Sequence, residues 1–285
     1  MNNYSVNDIT ITNPNRIVYE KRSIKKIDVI NYYNIVGKRM LSYLNGRLLS
    51  VVRCHNGLTT CFYKKHPINY SKDIHIKKLK SKDGNLKDYF YLSTQKGIIK
   101  ESQNGTIEFH MWGSKVNHID SPDIMVFDLD PDENLELDKL RQGAKDLRAI
   151  LKKLGLKSFI KTSGNKGYHV VVPFSSTPSW DNFSSFAEKV ASLMEHKWPE
   201  KYTTNIRKEK RKGKIFIDWL RNTKGATTIS PYSLRIKNDA TISFPITWSE
   251  LDKIGPSDIN ITNYYELFKK REPWRDFFKI KQSLK

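Results

Sequence analysis

Cysteine is nearly absent: Cys54 and Cys61 are the two in 285 residues. Their spacing matches no zinc pattern and the nearby histidines do not complete one, so a zinc finger or ribbon is excluded. Both are expected as free thiols of a reducing cytoplasm. No apolar run approaches the roughly 20 residues that a membrane span needs, which excludes a membrane partner. Met1-Asn2-Asn3-Tyr4-Ser5 lacks the charged-then-apolar layout of a secretory signal. No repeat and no linker divides the chain, so one cytoplasmic domain over 1–285 is expected. Acids are the minority charge, 30 Asp and Glu against 50 Lys and Arg, for a formal net charge of +20. Such an excess speaks of partners rather than fold, and the simplest polyanionic partner is nucleic acid.

Against that basic background, one acidic pair stands out. Ile124-Met125-Val126-Phe127 has strand character and runs into Asp128-Leu129-Asp130-Pro131. Alternate residues of a strand share a face, so Asp128 and Asp130 project together, about 7 Å apart at the backbone, while Leu129 points into the core. Pro131 cannot donate a ladder hydrogen bond and is expected to end the strand there. Two close carboxylates repel unless a cation lies between them, and Mg²⁺ or Mn²⁺ takes such oxygens. Lys214-Ile215-Phe216-Ile217-Asp218 repeats the device: an apolar strand delivering an acid at its end. Together the three acids form the ligand set of a two-ion site.

Around these acids the pattern predicts strands and helices in mixed order. A short strand over Ile9–Thr12 ends at Asn13-Pro14-Asn15; Arg16 follows, then Ile17-Val18-Tyr19. A helix is expected from about Lys25 to Leu44, with Lys26 in its first turn, where the macrodipole disfavours a cation but attracts phosphate. Leu48–Arg53 and Leu58–Tyr63 read as a hairpin; adjacent Phe62 and Tyr63 face opposite ways, so at most one is core and the other is free to stack on a base. Residues 69–105, including Ser81 and Asp83-Gly84-Asn85, read as loops around short elements. Thr106–Met111 is a strand carrying His110. Leu137, Leu140, Ala144, Leu147, Leu151 and Leu154 keep helical spacing for a core-facing crossover helix closed by Gly155. Strands Lys157–Thr162 and Tyr168–Val172 flank Ser163-Gly164-Asn165-Lys166-Gly167, a candidate phosphate cradle with a hydroxyl, a cation and two permissive glycines. His169 faces opposite to Tyr168 and Val170, toward that cradle. Ser179 is the expected N-cap of a helix to Trp198, Lys208–Lys214 is a basic loop, and Thr227–Arg235 reads as a further strand. From Trp248 onward, small helices are expected to pack Tyr264, Tyr265, Leu267, Phe268, Trp274, Phe277 and Phe278 on the body.

Four of these segments, in order, resemble one family: Val126-Phe127-Asp128-Leu129-Asp130-Pro131, Thr162–Val170, Ile217-Asp218-Trp219 and Pro231-Tyr232-Ser233-Leu234-Arg235. The chain, from about Ile11 to Phe278, is similar to the polymerase domain of bacterial DNA ligase D, a non-homologous end-joining polymerase of the archaeo-eukaryotic primase superfamily. The resemblance implies an α/β (α+β) primase-polymerase core, with an RRM-like mixed or antiparallel sheet flanked by helices and N-terminal elaborations. Residues 1–105 would bind the DNA end and template, 106–245 form the catalytic palm, and 246–285 pack as a helical segment. It implies a metal-dependent nucleotidyltransferase adding nucleotides, preferentially ribonucleotides, to 3′ ends at breaks or gaps. Asp128, Asp130 and Asp218 would hold Mn²⁺ or Mg²⁺. His110, Ser163, Lys166, Gly167, His169 and Arg235 would surround the NTP or dNTP. Asn13, Arg16 and Lys26 would grip a 5′-phosphate, and Phe62 or Tyr63 would stack on template bases. Arg16 stands where a lysine is more usual, and Asn165 where a glycine is common. Most relatives are fused to a ligase and sometimes a nuclease; neither is present here, so the partners implied are DNA ends, Ku and a separate ligase, in the bacterial nucleoid. Rival readings are a replicative, plasmid or phage primase, a non-catalytic DNA-end module, and a haloacid-dehalogenase-type phosphatase, which expects Thr or Val where Asp132 stands.

Overall fold

The structure, a computed structural model, describes residues 4–67, 71–80, 84–175 and 179–284. At the N-terminus β1 (Tyr4–Val6) pairs with β2 (Ile9–Ile11), and β3 (Ile17–Tyr19) with β4 (Ile24–Lys25), which runs into α1 (Lys26–Leu44). Strands β5 (Leu49–Cys54) and β6 (Cys61–Lys64) form the expected hairpin, followed by β7 (His75–Lys80), β8 (Leu86–Tyr91), α2 (Gln95–Gln103) and β9 (Thr106–Met111). The central unit is β10 (Ile124–Pro131), α3 (Leu137–Lys153), β11 (Phe159–Thr162), β12 (Tyr168–Pro173), α4 (Trp180–Lys197), β13 (Tyr202–Thr203) and β14 (Ile215–Asp218). After it come β15 (Thr228–Ile229), β16 (Pro245–Ile246) and α5 (Tyr264–Lys270).

Among the described residues the main sheet has the order β13-β14-β10-β12-β11-β16, antiparallel except for β13 against β14. Strands β10 and β11 both pair antiparallel with β12, so they run parallel to each other and α3 crosses between them. The order β14-β10-β12-β11 is the split βαβ arrangement expected of an RRM-like palm. A second sheet, β15-β9-β5-β6, is antiparallel throughout.

Alternation explains which face is which. Leu129, Tyr168 and Ile217 are fully buried on one face of the main sheet. On α3, Gly143 lies so close to Ile215 that a Cβ would come within 2.7 Å of its Cδ1, so this helix covers the same face. The opposite face is left for polar side chains. Phe127 is fully buried in β10; its truncation to Ala should cost ~3–5 kcal/mol. The α1 core is rich in tyrosine, and two of its hydroxyls donate to carbonyls: Tyr32 to Tyr232 at 2.7 Å, Tyr33 to Ile107. Ser179 caps α4 as expected, accepting from Asn182 N–H at 3.2 Å.

Four expectations are corrected. Cys54 and Cys61 are joined in a disulfide rather than free; the hairpin register sets them directly opposite each other, a neighbourhood that linear spacing does not reveal. Residues 75–80, 86–91 and 95–103 are not loops but the β7–β8 hairpin and α2. Lysine-rich β7 has almost no apolar periodicity, and its ladder to β8 supplies the order; residues 69–70, Ser81 and Asp83 lie outside the described residues. The strand expected over Thr227–Arg235 shrinks to Thr228–Ile229, because Pro231 has no N–H and Tyr232 adopts φ 65°. Phe62 and Tyr63 keep to the expectation that at most one is core: they are 38% and 61% exposed on opposite faces of β6. In the C-terminal segment Tyr264, Trp274 and Phe277 are buried, but Tyr265 and Phe278 stay exposed.

Candidate active site

Strand register draws four polar side chains into one row. Lys161 on β11 is opposite His169 on β12, His169 is opposite Asp128 on β10, and Asp128 is opposite Asp218 on β14. Directly paired residues share a face, so the row reads cation, imidazole, acid, acid across four strands. Asp130, two residues beyond Asp128, adds a third carboxylate on that face. All four row residues are buried, or nearly so for Asp128. His169 Nε2 lies 3.3 Å from Asp128 Oδ1, and Arg221 Nε lies 3.0 Å from Asp218 Oδ2. His169 Nδ1 is buried without a hydrogen-bond partner among the described residues.

Electrostatics separates the three acids. Burial would raise the Asp128 carboxyl, but the His169 charge and hydrogen bond, with Arg221 and Lys161, hold it below the usual carboxylate range. Asp130 has no such partner; burial, then Asp128 and Asp218, push it up to about 7, and Lys166 and Arg221 offset this in part. Burial also raises Asp218 against the pull of Arg221. Burial drives His169 down to about 4 although Asp128 opposes it. The crowding of negative charge at Asp130 is what a divalent cation would relieve. Nonetheless, among the described residues no group of three or more His, Cys, Asp or Glu side chains stands ready-made around an ion. His169 and Arg221 meanwhile take one oxygen each from Asp128 and Asp218.

The turn after β11 is built differently from the expected cradle. Ser163 Oγ accepts from the amides of Asn165 at 3.0 Å and Gly167 at 3.1 Å, Ser163 N donates to Gly167 O, and Gly164 N donates to Pro256 O. Those amides are committed within the protein, so the turn offers the half-exposed Lys166 ammonium (3.7 Å from Glu133) rather than a backbone nest. Gly167 is required by close approach: a Cβ there would lie 2.1 Å from Leu129 O.

Across from the row, β9 contributes a second polar cluster. His110 Nε2 is 2.8 Å from Glu108 Oε2, and Arg235 Nε is 3.0 Å from Glu108 Oε1. Arg235 also donates to Ser163 O at 3.0 Å, and its own carbonyl accepts from the Tyr19 hydroxyl at 2.9 Å. Arg235 thus ties the second sheet to the turn of the first. Burial would raise the Glu108 carboxyl, but the His110 hydrogen bond and Arg235 carry it down to about 2. Burial lowers His110, and Glu108 resists. The Tyr63 ring stands 5.5 Å from the His110 ring, on the site side of the hairpin; Phe62 stands 5.3 Å from His55, on the other side.

Asn13, Arg16 and Lys26 come together at the start of α1. Asn13 (φ 50°) accepts Arg16 N–H at 3.1 Å, and Arg16 Nη1 donates to His55 O. Contrary to expectation, the helix start offers few free amides: Lys26 N donates to Arg16 O at 2.8 Å and Ile27 N to Pro14 O at 3.0 Å. The Lys26 ammonium folds back onto Thr12 O at 2.8 Å. Burial and the neighbouring Arg16 lower it to about 8. Among the described residues neither cation has a carboxylate partner, and Arg16 Nε is buried without a hydrogen bond.

Sequence reading passed over Lys161, Glu108 and Arg221. Glu108 was within reach, since it shares the face of His110 two residues away in a strand. Lys161 alternates with Ser163 and was equally accessible. Arg221 lies in the 3₁₀ turn Leu220–Asn222, and only the fold turns it back on Asp218.

Comparison with known proteins identifies the family and the fold. The profile of the family described as LigD, primase-polymerase domain matches residues 25–274. The multifunctional non-homologous end joining protein LigD of Pseudomonas aeruginosa is 27% identical over 97% of this chain and 34% of its own length. Its namesake from Mycolicibacterium smegmatis is 30% identical over 85% of this chain and 32% of its own. The chain therefore spans about a third of the length of these relatives. Among solved structures, the polymerase domain from Mycobacterium tuberculosis ligase D in complex with DNA superimposes with a TM-score of 0.87 at 26% identity, over 94% of this chain and 96% of that one. Among the described residues no helix is long and apolar enough to cross a membrane.

Proposed function

The chain belongs to the LigD primase-polymerase domain family, and from that premise we propose that it is a metal-dependent nucleotidyltransferase that extends 3′ ends at DNA breaks or gaps in end joining. The observation that carries this reading is the in-register convergence of Asp128 and Asp218, with Asp130 two residues on, at the polar face of the palm sheet. Three carboxylates so crowded that one is pushed toward neutrality have the donor chemistry of a hard divalent ion. Asp128, Asp130 and Asp218 would hold Mg²⁺ or Mn²⁺, as one ion or two. When bound, the metal would neutralise phosphate charge and lower the pKa of the attacking hydroxyl.

The chain's own residues then have distinct tasks as the primer 3′-hydroxyl attacks the α-phosphate and pyrophosphate leaves. Arg235, held from behind by Glu108, keeps guanidinium N–H groups available to the triphosphate, pre-oriented at no cost during the reaction. Lys166 adds a mobile cation, and His169 is positioned by Asp128. Ser163 orders the turn through its oxygen while its hydroxyl proton remains free for phosphate. His110 and Tyr63 form the wall nearest the incoming base, and Tyr63, not Phe62, has the position to stack. Asn13, Arg16 and Lys26 form the 5′-phosphate grip, and Ku and a DNA ligase are the proposed partners.

The test is extension of a labelled primer on a 5′-phosphorylated gap, with Mg²⁺ and Mn²⁺ and with ribo- and deoxynucleotides in turn. Extension is expected with added metal, faster with ribonucleotides. No extension under any combination would overturn the polymerase reading in favour of a non-catalytic end-binding module.

A further inference from the structure

We propose that the groove between the C-terminal half of α3 and Trp248 is a second nucleic-acid contact, taking the sugar-phosphate backbone and a base of a single-stranded segment. Lys145, Arg148 and Lys152 recur at three and four residues along α3, beside the stripe of Leu140, Ala144, Leu147 and Leu151 that is buried. Lys157 joins them from the connection into β11, and the groove encloses about 660 Å³, against about 390 Å³ for the cavity lined by Asp130 and Lys166. Its floor is kept open by Gly155, which turns the chain at φ +75 with nothing within 4 Å of where a Cβ would stand.

The charges here are unspent. Lys139 and Arg141, nearer the start of α3, pair with Glu136 and Asp138 at 3.3 and 3.0 Å. In the groove Lys145 reaches Asp252 at 2.7 Å, but among the described residues Arg148, Lys152 and Lys157 have no ion-pair partner. Trp248 is fixed by donating its Nε1–H to Ser158 O at 2.9 Å, and the Arg148 guanidinium lies 4.7 Å from its ring centroid. Cations along a groove with an indole–guanidinium platform are the combination that binds single strands without regard to sequence. An acidic peptide would use the cations but leave the platform idle, whereas a nucleotide uses both.

The groove is separate from the chemistry. It lies on the side of the sheet that α3 covers, opposite the acid row. Ser158 and Ser163, at the two ends of β11, are five residues apart, about 16 Å along a strand. The inference therefore does not rest on the polymerase reading.

Binding of a labelled oligodeoxythymidine of about 20 nucleotides tests it. At fixed salt, Arg148→Glu with Lys152→Glu is expected to weaken binding at least ~10-fold and to flatten the slope of log affinity against log salt by about 1.4, two single-strand phosphate contacts. Lys189→Glu with Lys197→Glu, the same charge change on α4, is expected to change little. Extension of a short primed template, too short to reach the groove, is expected to be unchanged. If the double reversal does not fold, Arg148→Gln with Lys152→Gln makes the same comparison. An equal loss in the α4 control, unaltered binding by the groove variant, or displacement of the oligonucleotide by polyglutamate at matched charge would each overturn the proposal. Loss of extension in the wild-type protein would remove the polymerase reading alone, since oligonucleotide binding decides the groove.

Discussion

Among the described residues Arg16 and Lys26 are two cations brought together with no acid between them, and an anion bound there would remove a standing repulsion. Lys26 is covered (5% exposed), donates to Thr12 O, and is lowered to about 8 by burial and by Arg16. A 5′-phosphate would gain a charge-assisted hydrogen bond from each side chain, worth ~1.5–3 kcal/mol apiece, so removing one should cost roughly ten- to a hundredfold in affinity. We expect Lys26→Met and Arg16→Gln each to erase most of the preference for 5′-phosphorylated over 5′-hydroxyl gapped duplex. Extension of a primed template with no downstream end should change little. The sign with pH follows from the lowered ammonium. Phosphate binds the charged form, so in the wild type the preference should fade as pH rises through about 8, rather than near 10.4, where an ordinary lysine titrates. Lys26→Arg should extend it to higher pH. The measurement is the ratio of dissociation constants for the two duplexes at one salt concentration, because overall affinity in so basic a protein is strongly salt-dependent. If both variants keep the full ratio, the cluster is only a structural tie between Thr12 and His55.

Three further outcomes follow from the site and the hairpin. Asp128→Ala and Asp218→Ala should each abolish nucleotide addition while DNA binding, followed by anisotropy, stays equal or tightens; near wild-type extension by either would sink the metal assignment. For Asp130, raised to about 7 in the fold, the destabilisation is fully present above that pH and disappears below the unfolded carboxyl value. Asp130→Asn should therefore raise the metal-free melting temperature at pH 8 by a few degrees, ~1–3 kcal/mol, have less effect at pH 5, and lose the stabilisation that added Mn²⁺ gives the wild type; an unchanged melting curve at pH 8 contradicts it. Reducing the Cys54–Cys61 disulfide, which closes a short loop, should cost ~2 kcal/mol of stability in denaturant unfolding, and identical midpoints with and without a dithiol would show that the hairpin does not depend on it.

Local physics was enough for much of this protein. Apolar residues followed by acids fixed β10 and β14 as strands ending in carboxylates, because side-chain alternation needs no information from elsewhere in the chain. Periodicity and caps likewise gave α1, α3 and α4, with Ser179 as N-cap and Gly155 at the turn beyond the end of α3. Other features depended on pairing between segments far apart in sequence. Only the registers of β11 with β12, β12 with β10 and β10 with β14 join Lys161, His169, Asp128 and Asp218 into a row, and only the β5–β6 register makes neighbours of Cys54 and Cys61. The Ser163–Gly167 turn could not be known to spend its amides on itself, nor α1 its first amides on Pro14 and Arg16, because a sequence shows which groups are available but not which partners reach them first. Burial completes the division: aspartate is the same residue at 128, 130 and 218, but one is lowered and two are raised, because charge in a low-dielectric interior responds to what the tertiary structure places beside it.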